Sequence, residues 1–269
     1  MIVARASLHM WEEPCISGNN GSGTIFFSGC NLKCIFCQNI QISNQIIGKD
    51  ITPEEFATIC LNLQKQKANN INLVTPTPYV PLIIEGIKIA KKKGLNIPIV
   101  YNTSGYETIE TIKMLNGIVG IYLPDLKYYN DNYAVKYSHI SNYFKYASAA
   151  IYEMYKQVGK PIFNNDGIMV KGIIVRHLML PGLKDDTKEI LNYLYNTYQD
   201  NIYISIMNQY TPIKHFDRFK ELNQTITEED YDEIIDYALD LGIKKAFIQE
   251  GGTDSLSFIP DFSNQNLPL

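Results

Sequence analysis

Histidine is scarce in this chain of 269 residues. His9, His139, His177 and His215 are the only four, and no two of them stand at the spacing of paired zinc ligands. Long apolar runs are missing as well, so no segment reads as a membrane span and no membrane partner is expected. Met1 to Glu13 lack the basic, apolar and cleavage regions of a secretory signal, which points to the cytoplasm. Charge of either sign is modest. The 24 Lys and Arg against 28 Asp and Glu leave a net −4, without the clustered cations that a nucleic-acid backbone requires. The one dense basic run, Lys91-Lys92-Lys93, ends a helical pattern before Gly94, where positive charge complements a helix C-terminus. The length suits one large domain or two small ones, and because no Gly/Ser-rich linker divides the chain, one domain is expected. Five cysteines, odd in number and crowded, exclude a secreted disulfide framework and suit a reducing compartment.

Three of those cysteines carry most of the information. They lie in Gly29-Cys30-Asn31-Leu32-Lys33-Cys34-Ile35-Phe36-Cys37, a C-x3-C-x2-C pattern just after the apolar run Thr24-Ile25-Phe26-Phe27. A cubic [4Fe–4S] cluster held by thiolates alone uses four cysteines, one per iron. Three leave one iron with an open position, and an open position separates a catalytic metal site from a structural one. Two other readings stand beside this one. One is a zinc site; the other is a closed cluster in which Cys15, within Glu12-Glu13-Pro14-Cys15-Ile16-Ser17-Gly18, folds back as the fourth thiolate. Cys60, in the helical pattern Ala57-Thr58-Ile59-Cys60-Leu61, reads as a small buried hydrophobe.

Strand-like runs alternate with helical patterns along the chain, which predicts βα units around a parallel sheet. Strands are expected near 24–28, 71–74, 97–101, 118–123, 168–176, 201–207 and 244–249. Helices are expected near 52–66, 78–93, 107–116, 142–158, 184–199 and 227–241. Thr52-Pro53-Glu54-Glu55 is a capping box with proline at the first helical position, and Thr227-Glu228-Glu229-Asp230 has the same form. Six or seven such units fall short of the eight that close a barrel. The expected fold class is therefore α/β, a partial (β/α)6-type open TIM barrel with parallel strands. Residues 1–250 are expected to form the core with an N-terminal extension. Residues 251–269 should run as an irregular tail, tacked down by Phe258, Ile259 and Phe262.

Ligands in such folds sit at the C-terminal ends of the strands. Those ends carry the three cysteines, Thr75-Pro76-Thr77-Pro78, Asn102-Thr103-Ser104-Gly105, Pro124-Asp125-Leu126-Lys127, Arg176-His177 and Asn208-Gln209-Tyr210. In an extended segment Asp125 and Lys127 point to the same side; the competing reading is an exposed ion pair that contributes little. Polar groups of both signs suit a zwitterionic ligand, whose amino-acid end would bind the open iron.

The cysteine motif, with Phe36 just before its last cysteine, resembles that of the radical S-adenosylmethionine (SAM) superfamily. Trp11 to Gly18, Phe26 to Leu32 and Cys37-Gln38-Asn39 resemble the pyruvate formate-lyase-activating-enzyme-like branch of uncharacterised role. So do Tyr101 to Tyr106, Asp125 to Tyr128, Val175 to Leu178, Leu180-Pro181-Gly182 and Gln209-Tyr210. The similarity spans nearly the whole chain. It implies that Cys30, Cys34 and Cys37 bind three irons of a [4Fe–4S] cluster while SAM chelates the fourth. An electron from a low-potential donor, a flavodoxin or ferredoxin, would then cleave SAM to methionine and a 5′-deoxyadenosyl radical. The resemblance puts Phe36 near the adenine, and Asn102 and Asp125 near the methionine carboxylate or a bound cation. It puts Lys127 at the carboxylate or ribose and Arg176 in the pocket lining.

Two departures stand out. Activating enzymes place Gly-Gly-Glu-Pro after the second strand, where it holds the SAM amino group. This chain has Thr75-Pro76-Thr77-Pro78 there, so hydroxyls such as those of Thr75, Thr77 and Ser104, or backbone oxygens, must substitute. Many members of the branch also carry extra cysteines ahead of the tryptophan motif. None stands between Met1 and Trp11, and no auxiliary metal is expected. The resemblance implies an activase acting on a glycyl radical protein. The runner-up is a radical SAM enzyme that modifies a small molecule or another protein residue, and the reading outside that class is an iron–sulfur electron carrier. Eight tyrosines between Lys127 and Tyr155 offer either a docking surface or helix packing.

Overall fold

The computed structural model describes residues 1–44, 46–249, 262 and 267–269. Strand β1 (Ile2–His9) lies antiparallel on β2 (Ser22–Phe27), and β3 (Lys49–Asp50) adds antiparallel to β1. Strands β4 (Ile71–Val74), β5 (Ile99–Thr103), β6 (Ile121–Pro124), β7 (Ile162–Phe163), β8 (Met169–Leu178), β9 (Tyr203–Met207) and β10 (Ala246–Ile248) follow. All but β7 join β2 in one parallel run in chain order, while β7 lies antiparallel on β8. The helices are α1 (Pro14–Ser17), α2 (Ile40–Asn44), α3 (Pro53–Lys65), α4 (Val80–Lys92), α5 (Ile109–Met114), α6 (Asp131–Ser138), α7 (Tyr143–Val158), α8 (Lys184–Tyr198) and α9 (Glu228–Leu241). The sheet is open and mostly parallel, an α/β fold as expected. Each expected strand and helix is present, with ends shifted by a few residues.

Local chemistry accounts for the boundaries. Thr52 Oγ1 accepts from the Glu55 N–H, and the Thr52 N–H donates to Glu55 Oε2, a closed capping box at the start of α3. Thr227 Oγ1 likewise accepts from the Asp230 N–H at α9. The elements the sequence did not reveal are β1, β3, β7, α1, α2 and α6. They are short or irregular: β1 carries a register shift between Val3 and Arg5, and α1 is a single turn of 4 residues.

Strand alternation sorts the side chains into two faces. Ile25, Leu73, Tyr101 and Tyr122 join the main core under the helices. Register aligns Thr24, Asn72, Val100 and Ile121 on the other face, with Phe26, Val74, Asn102 and Leu123 one layer higher. Helix α1 closes that face at the N-terminal ends of the strands. Asn70 Nδ2 donates to Ile16 O at 2.8 Å and Asn69 Nδ2 to Ser17 O at 2.6 Å. Cys15 is thereby buried with Ile16, Val100, Ile121 and Met169. It stands at the opposite end of the strands from Cys30, Cys34 and Cys37, which removes it as a fourth cluster ligand. Cys60 is fully buried in α3.

Phe262 packs edge-on against Phe26 with ring centroids 5.5 Å apart, while Phe258 and Ile259 lie outside the described residues. Among the eight tyrosines, Tyr128, Tyr137 and Tyr143 are buried, whereas Tyr129, Tyr146 and Tyr152 are exposed. Among the described residues no helix is long and apolar enough to cross a membrane.

Candidate functional site

Beyond β2 the chain turns at Gly29, whose φ of 91° favours glycine, and enters the cysteine loop. The loop is pinned from several sides. Gly29 N–H donates to Ile42 O at 2.7 Å, Ile35 N–H to Tyr137 O at 2.9 Å, and Leu32 N–H to Cys30 Sγ at 3.4 Å. Cys34 is buried; Cys30 and Cys37 are half-buried. All three thiols line one solvent-open cleft at the C-terminal ends of the strands. Burial pushes the Cys34 thiol up to about 11, against the opposing pull of Lys127 and Ser138, and burial also raises Cys30. A cationic cluster would supply what these thiols need to ionise. Among the described residues no three His, Cys, Asp or Glu side chains converge in the way a single metal ion requires. A cubane asks for a different arrangement, with one thiolate on each iron.

The facing wall carries the charged groups. Lys127 Nζ lies 2.6 Å from Asp125 Oδ2, and Arg176 Nε lies 3.3 Å from Asp125 Oδ1. Arg176 also reaches Asn102 Oδ1 at 2.7 Å and Glu12 Oε2 at 3.1 Å. Burial would raise the Asp125 carboxyl, but Lys127 and Arg176 together hold it below the usual carboxylate range. Burial likewise works against the Lys127 ammonium, and Asp125 chiefly offsets it, with the Cys34 sulfur adding to this when ionised. These side chains are mostly buried, so the pair is not the exposed surface contact of the competing reading. Backbone contacts set the wall. Asp125 N–H donates to Thr103 O and Leu126 N–H to Arg176 O. The Tyr143 hydroxyl donates to Ser104 O at 2.8 Å and accepts from the Lys127 N–H at 2.9 Å. At Gly105, with φ of 78°, an added Cβ would sit 2.2 Å from Asp125 O.

Phe36, Thr75, Asn102, Ser104, Asp125, Lys127 and Arg176 all line the cleft with the cysteines. Ser104 Oγ is buried there without a hydrogen-bond partner, an orphan that a polar ligand would satisfy. Thr75 is held at φ of 58°, an uncommon conformation for a β-branched residue, with its N–H on Asn102 O. Thr77 differs. Its hydroxyl turns away from the cleft and donates to Glu107 Oε1 at 2.5 Å, beside Thr103 Oγ1 at 2.6 Å and the Tyr101 hydroxyl at 3.1 Å. The carboxyl of Glu107, raised by burial, draws the hydroxyls of Thr77, Tyr101 and Thr103 to itself. His177 alternates away from Arg176 and is buried between Leu126 O and Thr187 Oγ1.

Sequence reasoning did not assign Glu12, Tyr128, Ser138, Tyr143 or Glu107. The acidic pair Glu12-Glu13 before Pro14 was the one available signal, since two carboxylates beside a buried turn need a cation. The others act through tertiary contacts that leave no local pattern.

A model described as the radical SAM superfamily matches residues 24–194 of the chain. An uncharacterized protein of Methanocaldococcus jannaschii is 30% identical over 86% of this chain and 65% of its own length. The pyruvate formate-lyase-activating enzyme of Clostridium pasteurianum is 25% identical over 71% of this chain and 74% of its own. The crystal structure of Streptococcus suis SuiB bound to S-adenosylmethionine shares the fold with a TM-score of 0.56, at 14% identity, over 84% of this chain and 49% of that one. The chain thus spans just under two thirds of the first of these relatives and about half of SuiB.

Proposed function

The chain belongs to the radical SAM superfamily, and from that premise we propose that it reductively cleaves SAM in the cleft lined by its three clustered cysteines. Its cofactors are a [4Fe–4S] cluster and SAM. When bound, the cluster supplies one electron that splits SAM into methionine and a 5′-deoxyadenosyl radical. The observation that carries the reading is that Cys30, Cys34 and Cys37 line the same cleft as Asn102, Asp125 and Lys127.

Each residue has a definite part in this reading. Cys30, Cys34 and Cys37 hold the three closed irons. Lys127 donates to the SAM carboxylate or a ribose oxygen, its ammonium oriented by Asp125. Asn102 has its side-chain oxygen committed to Arg176, which leaves its amide N–H groups free to meet a ligand oxygen. The Ser104 hydroxyl and the Thr75 oxygens take over the SAM amino group in place of a glutamate. Phe36 flanks the adenine, while Leu32, Val74, Leu178 and Met207 keep water from the reacting centre.

The narrower reading is activation of a glycyl radical enzyme by hydrogen abstraction from a glycine Cα. The Clostridium pasteurianum relative supports it. A low-potential flavodoxin or ferredoxin would serve as the electron donor. Reduced protein, SAM and a candidate glycyl radical enzyme should together produce a glycyl signal by electron paramagnetic resonance. Formation of 5′-deoxyadenosine without that signal, for every such enzyme of the host, would leave a small molecule or another protein residue as the target.

A further inference from the structure

We infer that Ser138, backed by Tyr128, donates a hydrogen bond to the cluster ligand Cys34 and thereby makes the cluster easier to reduce. The inference rests on the reading of Cys34 as an iron ligand. Cys34 Sγ and Ser138 Oγ lie 2.9 Å apart, and the Tyr128 hydroxyl lies 2.8 Å from Ser138 Oγ on its other side. Both Ser138 and Tyr128 are completely buried.

The direction of the chain follows from proton counting. A thiolate bound to iron has no proton and can only accept. The single Ser138 proton must then point at sulfur. That leaves a Ser138 lone pair facing Tyr128, so the phenol proton points at Ser138. The relay runs Tyr128 to Ser138 to Cys34, and each bond polarises the next.

The position of Ser138 supports a dedicated role. It is the last residue of α6, where a serine hydroxyl commonly bonds back to the carbonyl four residues earlier. Here Ala134 O is taken instead by the backbone N–H groups of His139 and Ile140. The Ser138 hydroxyl is turned into the cysteine loop. The neighbouring Tyr137 carbonyl accepts from Ile35 N–H at 2.9 Å, which fixes the end of α6 against the residue next to Cys34. The contact is thus held by main chain on one side and by a buried phenol on the other.

Reduction adds one negative charge to the cluster and its thiolates. A hydrogen bond to a ligand sulfur stabilises the more negative state more, so it raises the potential. Among the described residues no hydroxyl stands against Cys30 or Cys37 as Ser138 does against Cys34; Cys30 Sγ accepts only from the Leu32 N–H there. The relay therefore acts on one sulfur of the three.

The test is a potentiometric titration of the reconstituted protein with dithionite, followed by the resonance of the reduced cluster, together with iron content. Ser138→Ala should take up iron normally and shift the midpoint to more negative potential. The expected size is up to about tenfold in the reduction equilibrium, or 59 mV for one electron. Tyr128→Phe keeps the ring and removes only the hydroxyl, so it should give a smaller shift of the same sign. It carries the test by itself if Ser138→Ala does not fold. A packing role alone would leave both potentials unchanged. Normal iron content with a wild-type midpoint in Tyr128→Phe and in any folded Ser138→Ala would overturn the relay while sparing the cluster assignment. Failure of the wild-type chain to take up iron would overturn that assignment and the relay with it.

Discussion

Glu12 and Arg176 meet 3.1 Å apart inside the sheet, although 164 residues separate them in the chain. Glu12 enters from the N-terminal ends of the strands, where its other oxygen accepts from Asn72 Nδ2 at 2.8 Å. Arg176 comes from the end of β8 and spreads over Glu12, Asn102 and Asp125. The guanidinium thus joins the N-terminal segment to the wall of the cleft. Removing one member of a buried ion pair costs about 3–5 kcal/mol, because the other charge is left uncompensated. Asp125 still faces Arg176, so Glu12→Ala should fall near the lower end, about 3 kcal/mol. A denaturant titration reads this directly; Glu12→Gln, which keeps an acceptor oxygen, should lose less.

In the proposed reading Lys127, which lines the cleft, donates to the SAM carboxylate or a ribose oxygen. A hydrogen bond to a charged group contributes about 1.5–3 kcal/mol. Lys127→Ala should therefore weaken SAM binding by roughly ten- to a hundredfold, with iron content unchanged. Calorimetric titration of the cluster-loaded variant measures it, and an unaltered affinity would remove Lys127 from the SAM site.

Gly105 and Gly117 separate conformational strain from collision. Both have positive φ, 78° and 75°, and an added Cβ would meet Asp125 O at 2.2 Å in the first but nothing within 4 Å in the second. The left-handed conformation costs a residue with Cβ about 1–2 kcal/mol. Gly117→Ala should show that cost alone. Gly105→Ala should melt lower still and weaken SAM binding, since Asp125 must move.

The strand and helix order was legible because apolar runs and caps are local signals. The capping box at Thr52 and the cysteine spacing could be read directly. Thr77 was not legible: nothing in Thr75-Pro76-Thr77-Pro78 shows that the buried Glu107, 30 residues on, takes its hydroxyl. Cys15 was ambiguous for a similar reason, since only the docking of α1 decides which end of the sheet it reaches. Arg176 and His177 illustrate the limit well. Adjacent in sequence and both polar, they face opposite sides of β8; residue type alone does not tell which one enters the cleft, and only the family resemblance put Arg176 there.

His177 gives a pH dependence. Burial holds its imidazole down at about 4, against 6.5 in the unfolded chain. Between these values the unfolded state binds more protons, so stability rises with pH. The contribution is complete above about 6.5 and is lost as pH falls toward 4, with a size of roughly 3 kcal/mol. Glu13 and Glu107, raised by burial, oppose it in an overlapping window. The informative quantity is therefore the difference between wild type and His177→Asn in melts from pH 4 to 7. That difference should shrink toward acid.

The central claim is that SAM binds the open iron of a cluster held by Cys30, Cys34 and Cys37. The most direct measurement is the electron paramagnetic resonance spectrum of the reduced protein before and after adding SAM. A changed signal with the three cysteines intact, lost in Cys34→Ala, is the predicted result. A reduced cluster whose spectrum SAM leaves unchanged would contradict the account.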